Sequence, residues 1–193
     1  MVQIVLIRPG ATDYETQRRI RGTLDVPLNE EGLAEVARLT EELRPLHMEA
    51  LYCGPCRPAV ETCEALATAL GIKHKKLEQM QNLNYGLWQG MLVDEVRLTH
   101  PKVYRQWQEM PQNVCPPEGE MLAEAEERVR SGVGKLLKWH KEGVVGLVVS
   151  DPLARIVRRV LTLCELGDLW KAETEHGAWE ILEVQPQVLA PAT

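Results

Sequence analysis

The chain of 193 residues contains no phenylalanine, few cysteines and no excess of positive charge. Five cysteines are a small, odd number, which argues against a disulfide-stabilised scaffold and favours reduced thiols in a cytoplasmic protein. A formal net charge of −6 argues against nucleic acid or an anionic membrane as the main partner. No apolar run reaches the roughly 18 residues of a membrane-spanning helix, and the first run, residues 2–7, is too short for a secretory leader.

The sequence does contain apolar runs that alternate with amphipathic segments. Continuous runs at 2–7 and 144–150 are typical of strands buried on both faces, as in parallel sheets. Further strands are predicted at 49–53, 75–77 and 178–184, and helices at 30–44, 57–70, 118–141 and 152–166. This order predicts an α/β fold, a three-layer α/β/α sandwich around a mostly parallel sheet.

The same reading predicts a single domain over residues 1–193. Residues 72–117 are interrupted by prolines at 101, 111, 116 and 117, so we expect an elaborated connection with short helices there. Residues 185–193 show no periodicity and are expected to form a loose tail. In parallel sheets, ligands bind beyond the carboxyl ends of the strands. The loops 8–12, 53–58 and 150–155 are therefore the candidate site.

These loops lie within five motifs that occur in order along residues 2–165. The motifs are LIRPGATDYETQRRIRGTLDVPLNEEG, YCGPCRPAVET, NLNYGLWQG, PPEGEM and LVVSDPLAR. The first resembles the Arg-His-Gly-x-Thr opening of the histidine phosphatase superfamily, also called phosphoglycerate-mutase-like. The others resemble its Ser-Pro-Leu-x-Arg-Ala, Gly-x-Trp-Glu-Gly, Gly-Glu-Ser and Val-Ser-His-Gly-Gly segments. The resemblance implies a phosphoglycerate-mutase-like fold.

The resemblance also implies a catalytic set that this sequence has largely lost. The family uses a nucleophilic histidine, two arginines and a second histidine around the phosphoryl group, and a carboxylic acid as proton donor. The matching positions here are Pro9 for the nucleophile, Pro58 for the second arginine, Asn82 for the acid and Asp151 for the second histidine. Only Arg8 remains of this set, so the catalytic site is not expected to be intact.

None of the five histidines falls at either position where the family needs one. His47, His74 and His140 each precede a predicted strand, which places them at the opposite end of the sheet from the site. His176 precedes the last strand and is also expected to be poorly placed. His100, in the irregular connection, stays open as a substitute.

The replacements fit structural roles. Asp151 and Pro152 are predicted to form a helix N-cap and first helical residue, and Pro58 suits a first turn. We predict a buried ion pair between Arg8 and Asp151, which should lower the pKa of Asp151. Alternatively, Arg8, Arg21, Arg57 and Arg155 could still bind an anion.

A separate signal is the tetrapeptide Cys53-Gly54-Pro55-Cys56, which matches the thioredoxin active-site sequence between a strand and a helix. The rest of the chain does not resemble thioredoxin, so Cys53 and Cys56 are kept as a redox candidate beside a structural role. A single cysteine pair without a nearby histidine is weak evidence for zinc. No metal site and no cofactor are expected.

Three functional hypotheses follow from the sequence. The first is a catalytically impaired histidine-phosphatase-like protein that binds an unidentified protein partner or a small anionic ligand, with a homodimer left open. The second is a residual or altered phosphohydrolase, and the third is a thiol-redox protein. All three are compatible with a cytoplasmic protein that binds neither nucleic acid nor a membrane.

Overall fold

A five-stranded sheet forms the centre of the computed structural model, which describes residues 2–172 and 175–184. Its strands are β1 (Val2–Ile7), β2 (Ala50–Cys53), β3 (Lys73–Lys76), β4 (Gly143–Val148) and β5 (Trp179–Glu183), in the order β3-β2-β4-β1-β5. Strands β3, β2, β4 and β1 are parallel to one another, and β5 runs antiparallel to β1. The predicted mostly parallel sheet is confirmed. The tail expectation for 185–193 lies outside the described residues.

Helices cover both faces of the sheet. They are α1 (Asp13–Thr16), α2 (Glu30–Leu43), α3 (Arg57–Leu70), α4 (Val93–Thr99), α5 (Pro101–Glu109), α6 (Leu122–Trp139), α7 (Leu153–Thr162) and α8 (Leu169–Ala172). Ile4 and Leu6 of β1 belong to the apolar cluster that includes α6 and α7, whereas Val5 and Ile7 belong to the cluster under α2 and α3. Both faces of β1 are therefore buried, which is why its sequence is continuously apolar.

The predicted connection at 72–117 does contain short helices, α4 and α5, together with several 3-10 turns. Tryptophan and tyrosine fill the core here in place of phenylalanine. The Trp107 ring lies with its centroid 5.6 Å from that of Tyr85, 6.1 Å from Trp88 and 6.2 Å from Trp170. These separations are typical of packed aromatic pairs.

Two helices are shorter than the hydrophobic pattern predicts. The helix predicted to begin at 118 begins at Leu122, because Pro116 to Gly119 form a turn in which Glu118 has a φ of 60°. The helix predicted to reach 166 ends at Thr162, where Leu163 takes the left-handed conformation with a φ of 58°. Among the described residues, no helix is long and apolar enough to cross a membrane.

Candidate functional site

Arg8 and Asp151 lie side by side where two neighbouring strands end. Ile7 of β1 is paired in register with Val148 of β4, so the residues that follow these strands emerge at the same edge of the sheet. Arg8 Nε donates a hydrogen bond to Asp151 Oδ2 at 2.5 Å, and the two side chains are 8% and 1% exposed. The predicted ion pair is confirmed.

Two further carboxylates approach the Arg8 guanidinium. Glu175 Oε2 lies 3.3 Å from Arg8 Nε, and Glu180 Oε1 accepts a hydrogen bond from Nη1 at 3.3 Å. Burial by itself would lower the pKa of Arg8, but Asp151 and these two glutamates together raise it. The guanidinium is thus surrounded by negative charge from the protein itself.

Asp151 differs in two respects from its predicted role. Burial outweighs the attraction of Arg8 and raises the pKa of Asp151 to about 6, so the predicted lowering is wrong. The following helix begins at Leu153, and Pro152 lies outside it after a cis peptide bond, so Pro152 is not the first helical residue. Asp151 Oδ1 nevertheless accepts a hydrogen bond from the Arg155 backbone N–H at 3.2 Å. This N–H lies in the first turn of α7, where backbone donors lack partners within the helix.

Asn82, which the resemblance matches to the family's proton donor, is 1% exposed and hydrogen-bonded through both ends of its amide. Its Nδ2 donates to the carbonyl oxygens of Gly22 and Asp151, each at 3.0 Å. Its Oδ1 accepts from the Leu153 N–H at 3.3 Å. An ionised carboxylate could accept this last bond but could not donate the first two. Asn82 therefore acts as a structural link between three loops.

Pro9, which the resemblance matches to the family's nucleophile, is buried, and its carbonyl accepts a hydrogen bond from the Gly177 N–H at 2.7 Å. Gly10 then lies so close to α2 that a Cβ on it would be 2.4 Å from the Gly32 carbonyl oxygen. Pro58 is buried in the first turn of α3, which confirms its predicted position. The proline nitrogen of residue 9 lies within the peptide bond and has no lone pair for attack.

The remaining arginines of the predicted anion site are distributed over three places. Arg21 is buried and pairs with Glu15, with 2.8 Å between Nε and Oε1. Although burial favours the neutral acid, Arg21 and Thr12 hold the pKa of Glu15 below its usual value. Arg57 has 52% of its side chain exposed and pairs with Glu61 one helical turn along α3.

Arg155 lies nearer to Arg8. Its Nη2 pairs with Glu175, and its Nη1 donates to the Asp168 carbonyl at 3.1 Å. Arg8 and Arg155 open onto one pocket of about 230 Å³, whose lining is Arg8, Arg155, Arg158, Glu165, Leu166, Gly167 and Glu175. The structure therefore brings two of the four predicted arginines to one pocket, and carboxylates line that pocket with them.

The glutamates at 175 and 180 had no signal in the sequence reasoning. They reach the site because β5 is antiparallel, so its start lies at the edge where β1 and β4 end. His176 also reaches this end, but its Nδ1 lies 2.8 Å from Glu35 Oε1, and it is not among the residues that line the pocket at Arg8. His140, by contrast, lies at the opposite end and contacts the Tyr52 hydroxyl at 2.7 Å.

The Cys53-Gly54-Pro55-Cys56 segment also lies at this edge, but its thiols are enclosed. Cys53 and Cys56 are 0% and 3% exposed, and all five cysteines are free. A hydrogen bond with Cys63 lowers the pKa of Cys53 and raises that of Cys63. Reactive thiols of exchange proteins are partly exposed, so this arrangement fits a packed core better than thiol exchange.

Comparison with known proteins agrees with the fold and with the motifs. A sequence model described as "Histidine phosphatase superfamily (branch 1)" matches residues 4–190. Phosphoserine phosphatase 1 of Hydrogenobacter thermophilus is 26% identical over 185 residues, which cover 96% of this chain and 88% of that protein. The uncharacterized phosphatase PhoE of Bacillus subtilis is 26% identical over 168 residues, covering 87% of this chain and 80% of its own.

Among solved structures, Bacillus stearothermophilus YhfR superposes with a TM-score of 0.82 at 23% identity, covering 96% of this chain and 93% of that one. A mycobacterial glucosyl-3-phosphoglycerate phosphatase gives a TM-score of 0.81 at 22% identity, covering 94% and 97%. At these identities the structures establish the fold. The match over residues 4–190 shows that the chain belongs to the histidine phosphatase superfamily.

Proposed function

We propose that this protein is a catalytically inactive member of the superfamily that acts by binding a protein partner or a small anionic ligand. The observation that carries the proposal is the site itself. Proline stands at the nucleophile position, and the one remaining arginine of the set, Arg8, is paired with a buried aspartate. A phosphoryl dianion at Arg8 would meet the charges of Asp151 and Glu175 at close range.

Rate considerations support the same proposal. Removing a single oxyanion donor from an enzyme reduces turnover by about 10²–10³, and removing a catalytic nucleophile reduces it by up to about 10⁶. Here the nucleophile, the second arginine, the acid and the second histidine have all been replaced, by Pro9, Pro58, Asn82 and Asp151. Because residues that act as a unit lose their effect together, no useful phosphatase activity is expected.

The pocket beside Arg8 supports the anionic-ligand form of the proposal. Arg8 and Arg155 line it, but each already contacts Glu175, whose side chain is 40% exposed. An anionic group such as a carboxylate could displace Glu175 and take over its contacts with both guanidinium groups. We also propose a cytoplasmic setting, which five free cysteines support. A homodimer is a further proposal that the sequence leaves open.

The experiment that tests inactivity is a phosphatase assay with p-nitrophenyl phosphate and with phosphoserine. A catalytically competent member of the superfamily serves as the positive control. We expect wild-type turnover to equal the no-enzyme background. Turnover that rises with protein concentration and disappears in Arg8→Ala would overturn the proposal and establish the second candidate, an altered phosphohydrolase. That candidate is favoured by the phosphatase names of the relatives.

Ligand binding is tested separately by calorimetry with acetate, succinate and inorganic phosphate as probes. We expect the wild type to bind the two carboxylates weakly and phosphate more weakly still. The carboxylate binding should be lost in Arg155→Gln. Arg57→Gln is the matched control, because Arg57 pairs with Glu61 on an exposed helix face away from this pocket. Phosphate bound more tightly than either carboxylate would contradict the proposal that the site disfavours a phosphoryl group.

A further inference from the structure

A second group of polar side chains lies next to the Arg8–Thr12 loop. Glu31 and Glu35 are one helical turn apart on α2, and His176 precedes β5. One ligand atom from each of the three residues lies within 4.8 Å of the other two. His176 and Glu35 are 141 positions apart in the chain, so spacing in the sequence could not reveal the group.

Two of the three side chains are already held in position. Glu35 Oε2 accepts a hydrogen bond from the Ala11 N–H at 2.9 Å, and Glu35 Oε1 lies 2.8 Å from His176 Nδ1. Gly177 has a φ of 55°, and a Cβ there would lie 2.4 Å from the Glu35 carboxyl carbon. The Gly177 N–H donates a hydrogen bond to the Pro9 carbonyl, and the Gly177 carbonyl accepts one from the Arg38 guanidinium. These contacts at Gly177 therefore hold the backbone next to His176 close to the Glu35 carboxylate.

We propose that Glu31, Glu35 and His176 bind a divalent transition-metal ion of the Zn²⁺ class. One imidazole nitrogen with two carboxylate oxygens is a donor set that zinc accepts, and three protein ligands leave a fourth position open to water. Neutral imidazole would bind the ion through Nδ1 with its proton on Nε2. The two carboxylates balance the charge of the ion.

The distances require only small movements. Ligand atoms at about 2.0 Å around a tetrahedral zinc are separated by about 3.3 Å. His176 Nδ1 and Glu35 Oε1 would therefore move apart by about half an ångström from their present 2.8 Å. Glu31 is exposed in the first turn of α2, and its flexible side chain can close the remaining gap. The hydrogen bond from the Ala11 N–H to Glu35 Oε2 would then orient the Glu35 carboxylate towards the ion, as outer-sphere hydrogen bonds do in known metal sites.

An occupied site would connect α2 and the start of β5 to the loop of Arg8. Glu35 contacts Ala11, and Gly177 contacts Pro9, so an ion held by Glu35 and His176 joins the same loop from two sides. This inference is independent of the proposed function, since it uses none of the replaced catalytic positions.

The test is a titration of the full-length, metal-stripped chain with Zn²⁺, read by calorimetry, and with Co²⁺, read by its visible absorption. We expect one equivalent to bind, with an absorption characteristic of four or five ligands. Affinity should fall at least about tenfold in Glu31→Gln and in His176→Gln. Glu31 is exposed, so its substitution should not affect folding.

Two matched controls separate a built site from general surface binding. Glu30→Gln changes the neighbouring exposed carboxylate on α2, and His74→Gln removes an exposed histidine on β3. Both should bind Zn²⁺ and Co²⁺ as the wild type does. The proposal is overturned if the wild type binds no more tightly than His176→Gln, or if His74→Gln lowers the affinity as much as His176→Gln does.

Discussion

Arg8 and Asp151 form a buried ion pair, with 2.5 Å between Nε and Oδ2, at the edge of the sheet where β1 and β4 end. The resemblance places a histidine at position 151, which would contribute a donor to the bound oxyanion. The aspartate instead gives the remaining arginine an intramolecular counter-ion. The site is therefore internally neutralised, and the predictions below test this property first.

Breaking the pair from one side should destabilise the protein. Asp151→Ala leaves a buried guanidinium with only the two more exposed carboxylates of Glu175 and Glu180, so we expect a loss of about 3 kcal/mol in the free energy of unfolding. Replacing both partners, as Arg8→Met with Asp151→Leu, should recover much of the loss because no charge then stays buried. Urea unfolding measures each variant.

The control for this prediction is the exposed pair of Arg57 and Glu61. Arg57→Ala should change the free energy of unfolding by less than about 1 kcal/mol, since exposed ion pairs contribute little. If Asp151→Ala is no more destabilising than Arg57→Ala, the buried pair does not hold the site together.

The raised pKa of Asp151 predicts a particular pH dependence of stability. The folded protein holds this proton up to about pH 6, whereas the unfolded chain releases it near 3.8, the ordinary pKa of an aspartate side chain. The folded state therefore binds more protons between these values, and this contribution to stability decreases as the pH rises through 6. Relative to Asp151→Asn, the wild type should lose on the order of 1 kcal/mol between pH 5 and pH 7.5.

The measurement is urea unfolding of both proteins across that range, with their difference plotted against pH. Taking the difference cancels the other titrating groups. A difference that instead increases in favour of the wild type would mean that Arg8 lowers the pKa of Asp151 and that burial is the weaker effect.

Restoring the nucleophile alone should not restore catalysis. In Pro9→His the Arg8–Asp151 pair persists, so the oxyanion would still face a carboxylate. We expect less than a tenfold rise in p-nitrophenyl phosphate turnover over background. The combination Pro9→His, Pro58→Arg, Asn82→Glu and Asp151→His should bind vanadate and give measurable turnover. Equal activity in the single and the fourfold variants would contradict the neutralised-site interpretation.

The thiols should react according to their exposure. Cys115 is exposed, Cys164 is half-buried, and Cys53, Cys56 and Cys63 are buried. A chromogenic aryl disulfide should therefore give a fast phase that Cys115→Ser removes, while the three buried thiols react only after denaturation. A fast phase that survives Cys115→Ser and is lost in Cys53→Ser would support the redox hypothesis instead.

Much of the fold was predictable because its signals are local. The apolar runs of β1 and β4 identify strands buried on both faces, and the first turn of α3 accepts proline at position 58. The Arg8–Asp151 pair was predictable too, because residues that follow adjacent parallel strands emerge at one edge. Helix ends were less predictable. The left-handed position after α7 is occupied by Leu163 and not by the glycine that usually marks a helix end in a sequence.

The surroundings of the pair were not predictable. An apolar strand pattern does not reveal strand direction, and it is the antiparallel β5 that brings Glu175, Glu180 and His176 to this end of the sheet. The degree of burial is likewise a property of the assembled molecule. It decides whether desolvation or Arg8 dominates the pKa of Asp151.

The sequence by itself therefore determined the α/β fold class and excluded nucleophilic chemistry at residue 9, since a proline there cannot act as a nucleophile in any conformation. Only the tertiary structure decided what took the place of that chemistry. Charges interact through space and through the medium between them, so the carboxylates that neutralise Arg8, and the His176 that joins Glu31 and Glu35, follow from how distant segments pack.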